Sequence, residues 1–327
     1  MMTLRWLVLG PALLLLLAGC STTVQVHARF PANDPDAAPL RHVAVADFEG
    51  PEGDHFAYAF EAMLGSADFD GARYYTMMDG GGRGRGADSS AAMRYGRDIR
   101  ADGIFYGRMQ AANFDNFPYD VKDTRCVKKD DAGKCIRHED FFRPCLRRVF
   151  HMEVFPMLLR VRDGQVVYSS RKSAGAETSW CRGENQLTSD DEMIDGAVNT
   201  ILADVRTDIA PYNTILRATV IEKTDGLPEA DAKVFDGAVK AAGKGDLSSA
   251  CHAWDDIHRN QPGHAWTTYN IGVCAEANGD FAGALALYEK AQATAPKANS
   301  DISESIARAQ NLIAAQQELR KTKKSRK

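Results

Sequence analysis

The sequence predicts an α/β domain, a sandwich of a mixed sheet and packed helices, followed by an all-α domain of helical hairpins. Strand-like and helix-like segments alternate between residues 41 and 210, whereas residues 229–320 are helical in pattern throughout. The chain has 327 residues, of which 44% are hydrophobic and 26% charged, so it is long enough for about two globular domains. A formal net charge of −4 argues against a general nucleic-acid binder.

The first element is an N-terminal leader. Residues 1–19 carry an apolar run that is too short to cross about 30 Å of hydrocarbon but fits a secretory signal peptide. The run ends in Leu17-Ala18-Gly19-Cys20, which resembles the bacterial lipobox. This resemblance implies cleavage before the cysteine, lipidation of Cys20 and, with Ser21 following, attachment to the outer membrane on the periplasmic side. Residues 20–40 are polar with three prolines and predict a lipidated tether.

The α/β domain is assigned to residues 41–210. Asp88-Ser89-Ser90 is a candidate helix cap after the glycine-rich loop 80–86, and Asp163-Gly164 is a two-residue hairpin signal. The predicted elements are a strand at 42–48, a helix at 55–65, a strand at 72–77, a helix from about 88 to 100, a strand at 102–110, a hairpin of 149–162 with 165–171, and a helix at 190–208.

Three motifs in this order resemble the CsgG-like lipoprotein domain. They are Val43-Ala44-Val45-Ala46-Asp47-Phe48-Glu49-Gly50, Ala101-Asp102-Gly103-Ile104-Phe105-Tyr106-Gly107 and Asp163-Gly164-Gln165-Val166-Val167-Tyr168-Ser169. The family includes the curli-secretion lipoprotein and the LpoB-like activators of penicillin-binding proteins. The resemblance implies a fold similar to the N-terminal domain of TolB and a role in the cell envelope.

Six cysteines remain after Cys20, and an even number in an oxidising compartment predicts disulfides. Sequence proximity favours Cys126–Cys135, Cys145–Cys181 and Cys251–Cys274, although other pairings stay open. The alternative is a zinc site made of Cys126, Cys135, His138 and Cys145, whose spacing matches no usual zinc framework. We therefore expect disulfides and no metal.

Residues 113–147 are an insertion with 15 charged residues, prolines and three cysteines. This composition is too polar for membrane-spanning strands. It predicts a disulfide-stapled recognition loop, and the alternative is a solvated loop that packs on its own domain. The candidate partner contacts are Phe114, Phe117, Tyr119, Phe141 and Phe142.

After a linker at 211–228, residues 229–320 contain a 34-residue period. Gly245-Asp246-Leu247, Ala250, Trp254 and Pro262 recur as Gly279-Asp280-Phe281, Ala284, Tyr288 and Pro296. This pattern resembles the tetratricopeptide repeat, with a capping helix at 299–320 and a basic tail at 321–327. The resemblance implies a protein partner, with Trp266 and Tyr269 as candidate contacts.

The sequence contains no recognisable catalytic motif. Gly82 to Ala87 formally match a G-x-G-x-x-A fingerprint, but they follow the second strand and are better interpreted as a connecting loop. HExxH and GxSxG motifs are absent from the sequence. We therefore expect a binding protein that is not an enzyme and needs no cofactor.

The resemblances together predict an outer-membrane lipoprotein that acts as a periplasmic protein-binding adaptor in envelope assembly. The most specific form of this expectation is activation of a peptidoglycan synthase. The alternative is an accessory or ring-forming subunit of a curli-like or surface-anchor secretion system. The expected partners are an envelope protein bound by the repeats and the membrane reached by the lipid anchor, with self-association left open.

Overall fold

The computed structural model describes residues 21–78 and 88–324. The predicted signal peptide, Cys20, the glycine-rich loop and the last three residues of the basic tail lie outside this range. The chain divides into two compact units. Of the described residues, the α/β unit contains those between Arg29 and Asn213, and the helical unit contains residues 21–28 together with Thr214–Lys321.

The helices and strands follow one another along the chain as listed at the end of this paragraph. They are β1 (Thr23–Phe30), β2 (His42–Glu49), α1 (Gly53–Ser66), β3 (Asp68–Phe69), β4 (Ala72–Arg73), β5 (Thr76–Met77), α2 (Ser89–Asp98), β6 (Gly103–Lys129), β7 (Cys135–Arg160), β8 (Gln165–Ser169), β9 (Lys172–Cys181), α3 (Asp190–Ile209), β10 (Tyr212–Thr219), α4 (Glu229–Gly243), α5 (Leu247–Asn260), α6 (Ala265–Ala277), α7 (Phe281–Thr294) and α8 (Ser300–Lys324).

The α/β unit is built on a mixed sheet with the strand order β5-β2-β6-β7-β8, and β9 pairs with β7 beyond the end of β8. β2 is parallel to β5 and β6, whereas β6, β7, β8 and β9 pair in antiparallel fashion. Helices α1 and α3 pack on one face of the sheet, and α2 packs on the other. The prediction of a mixed-sheet α/β sandwich is therefore confirmed at this level.

Aromatic residues fill the core beneath α1. The ring of Phe60 lies 4.9 Å from that of Phe105, and Phe48 lies 4.9 Å from Phe56. On the opposite face α2 approaches the sheet closely, because a Cβ at Gly96 would lie 2.4 Å from Val161. These contacts bury large apolar areas on both faces, which is the main stabilising contribution of a layered fold.

Local signals place the helix and hairpin boundaries. The Asp88 side chain accepts a hydrogen bond from the Ala91 backbone N–H (2.8 Å), which caps α2 as predicted. Ser189 and Glu192 form a capping box at the start of α3. Gly164 has φ of 73° in the turn between β7 and β8, a conformation that favours glycine.

Two segments predicted to be irregular contain strands instead. The tether at 20–40 contains β1, and the linker at 211–228 contains β10, which pairs with β1. Val24, Val26 and Ala28 are buried while the residues between them are exposed. Their alternation is a strand signal, but the polar composition and the prolines around it favoured the interpretation as a tether.

The helical unit packs α4 against α5, α5 against α6 and α6 against α7. Trp254, Tyr269 and Tyr288 are fully buried in its core. A Cβ at Gly272 would lie 2.6 Å from the Tyr288 ring, so glycine is needed where α6 meets α7. None of the helices in the described ranges is both long and apolar enough to cross a membrane.

Candidate functional site: a stapled hairpin arm

The most exposed candidate residues lie on a hairpin that extends beyond the sheet. Pairing between β2 and β6 ends at Glu49↔Arg108, and pairing between β7 and β9 ends at Cys145↔Cys181. Beyond this point β6 and β7 pair with each other as far as Lys129↔Cys135. We call residues 119–145 the hairpin arm. It is about 35 Å long by the usual rise per residue of a strand.

The insertion is therefore regular strand, not the loop that its composition predicted. Charged residues and prolines are uncommon in buried strands, so the composition favoured a loop. Here both faces of the strands meet solvent, and that position tolerates polar side chains. Pro118 lies opposite Leu146 on β6, whose outer edge is unpaired at this position within the described residues. An edge strand accommodates proline because the missing N–H can face outward.

Disulfides hold the arm at both ends. Cys145–Cys181 joins β7 to β9 at the base, and Cys126–Cys135 joins the two strands near the turn. Together with Cys251–Cys274 in the helical unit, these are the pairs that sequence proximity favoured. The zinc alternative is wrong, because its three cysteines are bonded to other cysteines. A two-stranded ribbon is marginally stable in water, so the staples are important for its shape.

Ion pairs of opposite charge line the shaft of the arm. Lys122 lies 2.6 Å from Asp140, and Arg125 lies 3.0 Å from Glu139. Arg143 bridges Asp123 at 3.4 Å and Glu184 at 2.6 Å. The backbone N–H of Cys181 and the Arg143 guanidinium lower the pKa of Glu184, which keeps this carboxylate charged. Each exposed pair contributes little alone, but the series aligns the two strands.

The structure separates the predicted aromatic contacts into two groups. Phe117 and Tyr119 are 51% and 41% exposed on one face of the ribbon, and Phe142 is 70% exposed on the other. Phe114 is half-buried against Phe150, with 4.6 Å between the rings. Arg125 lies over the ring of Phe141, which is also only partly exposed. Phe117, Tyr119 and Phe142 are therefore the accessible members of the set.

Trp266 and Tyr269, predicted to contact a partner, are buried instead. Their exposures are 4% and 0%. The Tyr269 hydroxyl donates to the Thr219 carbonyl (3.0 Å), and the ammonium of Lys223 lies 5.2 Å from the Trp266 ring centre. Asn270 bonds both the N–H and the C=O of Ile221, at 3.0 and 2.9 Å.

The segment 219–223 thus covers the face of α6 on which a partner was expected. α6 is buried over ten of its 13 residues. Helical periodicity identifies residues that pack inward, but it gives no information about an extended segment that arrives from elsewhere in the chain.

A buried ion pair ties α8 to α6. The Arg308 guanidinium donates to both oxygens of Glu276, at 2.6 and 2.8 Å, and Glu276 is fully buried. The Tyr288 hydroxyl donates to the same carboxylate at 2.5 Å. Burial, and then the charge of Glu276, raise the pKa of Tyr288 far above its usual value, so this hydroxyl stays protonated.

Histidine and acid pairs elsewhere connect elements of the α/β unit. His42 lies 2.8 Å from Asp102 where β2 and β6 begin, and His55 of α1 lies 2.9 Å from Asp195 of α3. Among the residues that the structure describes, no group of three histidines, cysteines or acids could hold a metal ion.

Comparison with known proteins gives no family. No protein-family model and no curated protein matches the chain. Similar solved structures include two crystal forms of a PelC dodecamer from Paraburkholderia phytofirmans. A point variant in space group C2 is 16% identical over 57% of this chain and 98% of that chain, with a TM-score of 0.30. The form in space group P6 is 15% identical over 56% and 97% of the two chains, also with a TM-score of 0.30.

Proposed function

We propose that this protein is a non-enzymatic adaptor of the cell envelope that binds a protein partner through the hairpin arm. The observation that carries this proposal is the exposure of Tyr119 and Phe142 on the disulfide-stapled arm and of Phe117 at its base. Aromatic side chains on a preorganised surface are typical centres of protein interfaces, because they bury large areas at low entropic cost. The α6 face of the helical unit is covered by its own chain, so we do not assign the first partner contact to that face.

The position of β1 bears on where the partner lies. If Cys20 carries the lipid anchor, two residues separate it from β1, which begins at Thr23. Such a connection spans about 11 Å at most, far less than the predicted 20-residue tether. We therefore favour a partner beside the outer membrane over a peptidoglycan synthase that must be reached through the wall.

The test is crosslinking and affinity capture of the tagged, full-length protein in its own cells. The variants are Phe117→Ser with Tyr119→Ser, and Phe142→Ser. Val234→Ser is the matched control, because Val234 is also exposed (47%) but lies in the helical unit. We expect wild type and control to capture the same discrete envelope protein, and the arm variants to lose at least about tenfold of it. Equal capture by all four proteins would contradict the proposal.

A second candidate, a ring-forming secretion subunit, is favoured by the two open edges of the extended sheet. Within the described residues, neither the outer edge of β6 beyond Arg108 nor the outer edge of β9 has a strand partner. Unpaired edges are templates for pairing with another chain. One protomer with two different open edges fits head-to-tail assembly, which closes into a ring when the rotation allows.

The substitution Ser179→Pro tests this candidate without breaking the existing ladder. The Arg182 N–H donates to the Pro144 carbonyl. Backbone N–H groups alternate along an antiparallel strand, so those of the even-numbered residues of β9 point to β7 and that of Ser179 points away from it. A ring former should be a large oligomer in detergent by light scattering, and Ser179→Pro should reduce it to monomers while Ser179→Thr does not. A monomeric wild-type protein would exclude the ring and leave the adaptor proposal intact.

A further inference from the structure

The tip of the hairpin arm, residues 126–137, breaks the charge pattern of the shaft. Lys128 and Arg137 lie directly opposite each other across the two strands. Like charges in this position repel and destabilise a ribbon. Every directly opposed or neighbouring pair described above for the shaft combines opposite charges. A local conflict of this kind in an otherwise consistent element points to a function.

The cations of the tip take no part in the ion pairs of the described residues. Lys128, Lys129, Lys134 and Arg137 are exposed, and none has an ion-pair partner in the described part of the chain. Two carboxylates lie beside them, and both are exposed: Asp131, and Asp130, which accepts hydrogen bonds from two backbone N–H groups of the turn at 3.1 and 2.8 Å. With four cations and two carboxylates, the tip is thus a positive site on a protein with a net charge of −4.

Apolar side chains accompany these cations. Val127 and Ile136 are 44% and 53% exposed, next to the Cys126–Cys135 staple. Exposed apolar side chains next to these cations in sequence match the headgroup layer of an anionic membrane, where cations meet phosphates and short apolar groups enter the acyl boundary. An acidic protein would also complement the charge, but valine is under-represented among the residues that carry protein–protein binding energy, where Trp, Tyr and Arg dominate, so the lipid surface is the better match.

We propose that the tip binds an anionic lipid surface peripherally, through phosphate contacts and shallow insertion of Val127 and Ile136. This binding is independent of the partner proposed above, which contacts the aromatic residues of the arm and its base. It gives the protein a membrane contact in addition to any lipid anchor.

The test uses the chain from residue 21 onward with its disulfides intact, so that no acyl chain contributes. Cosedimentation compares vesicles of pure phosphatidylcholine with vesicles containing about one third phosphatidylglycerol. We expect binding to the anionic vesicles alone. Lys128→Gln with Arg137→Gln should weaken it by about 30-fold at low salt, and Val127→Ser with Ile136→Ser should weaken it at every salt concentration.

The control is Lys233→Gln with Lys321→Gln, which removes the same charge from exposed ion pairs in the helical unit. It should bind as wild type does. The glutamine variant at the tip relieves a repulsion, so loss of binding cannot be attributed to an unfolded arm. No binding to anionic vesicles, or equal losses in tip and control variants, would overturn the proposal. So would tip variants that keep vesicle binding but lose a captured acidic protein.

Discussion

At the scale of single residues, buried polar side chains fix the arrangement of the helical unit. The Asn270 side chain bonds both the N–H and the C=O of Ile221 in the segment 219–223, and Glu276 accepts hydrogen bonds from Arg308 and Tyr288. Buried groups of this kind are costly unless every partner is present. Removing one partner therefore has a larger effect than the contact itself contributes.

Glu276→Gln should lower the free energy of unfolding by about 3 kcal/mol, because it leaves the largely buried Arg308 without its counter-charge. Urea denaturation followed by circular dichroism measures this change. The control is Glu229→Gln, which removes the partner of Lys233 from a fully solvated pair and should change stability by less than about 1 kcal/mol. Similar losses in both variants would show that the buried network is not special.

His264 should make the helical unit sensitive to acid. Its Nδ1 accepts from the Thr267 N–H at 3.2 Å to cap α6, and its Nε2 bonds the Asp225 carbonyl at 3.1 Å. Burial lowers the pKa of His264 below its usual value of 6.5. The folded state therefore resists protonation of His264. The stabilising contribution of the neutral His264 side chain is complete above about pH 6.5 and is lost as the pH falls through the folded-state pKa.

The variant His264→Asn isolates this effect, because asparagine also caps helices but does not titrate. Between pH 7 and pH 5 the wild-type protein should lose more stability in urea than His264→Asn. His258 also has a pKa lowered by burial, and His258→Gln should leave the difference due to His264 unchanged. Parallel pH profiles for wild type and His264→Asn would contradict the assignment.

At the scale of elements, the sequence predicted those whose signals are local. The cap at Asp88, the turn at Gly164 and the helix at 190–208 depend on neighbours in sequence and were found. The arm was missed because cross-strand ion pairs and disulfides between β6 and β7 hold it together. Such contacts produce no alternation of polar and apolar residues, which is the pattern that predicts a strand from sequence. The candidate aromatic residues were found by type, but their exposure depends on register.

Removing the outer staple should loosen the arm alone. In Cys126→Ser with Cys135→Ser, backbone amides of residues 119–145 should exchange hydrogen faster, because an unsupported ribbon is marginally stable. The sheet below Cys145–Cys181 keeps its own staple and helices, so its exchange should be unchanged. Hydrogen exchange by mass spectrometry measures both regions at once. Faster exchange throughout the α/β unit would show that the arm is part of the folding core.

At the scale of the whole molecule, segments that are far apart in sequence complete the helical unit. β1 and β10 pair although about 190 residues separate them in sequence, and residues after β10 complete the core beside α6. No local pattern predicts such pairing, because its favourable energy comes from contacts that form only after both segments have been brought together. Segments outside the two helical hairpins, α4–α5 and α6–α7, complete their packing, because residues 219–221 and α8 both bond side chains of α6.

This organisation distinguishes a strand from a tether in one experiment. Val26 is fully buried in β1, whereas its neighbour Gln25 is exposed. If β1 belongs to the helical unit, Val26→Asp buries a charge without a partner and should destabilise that unit by more than about 3 kcal/mol. Gln25→Asp introduces the same side chain one residue away and should have little effect. Thermal unfolding of both variants gives the comparison, and a tether would tolerate both. A selective loss in Val26→Asp would show that the folded body begins within the first residues of β1 and not after a 20-residue tether.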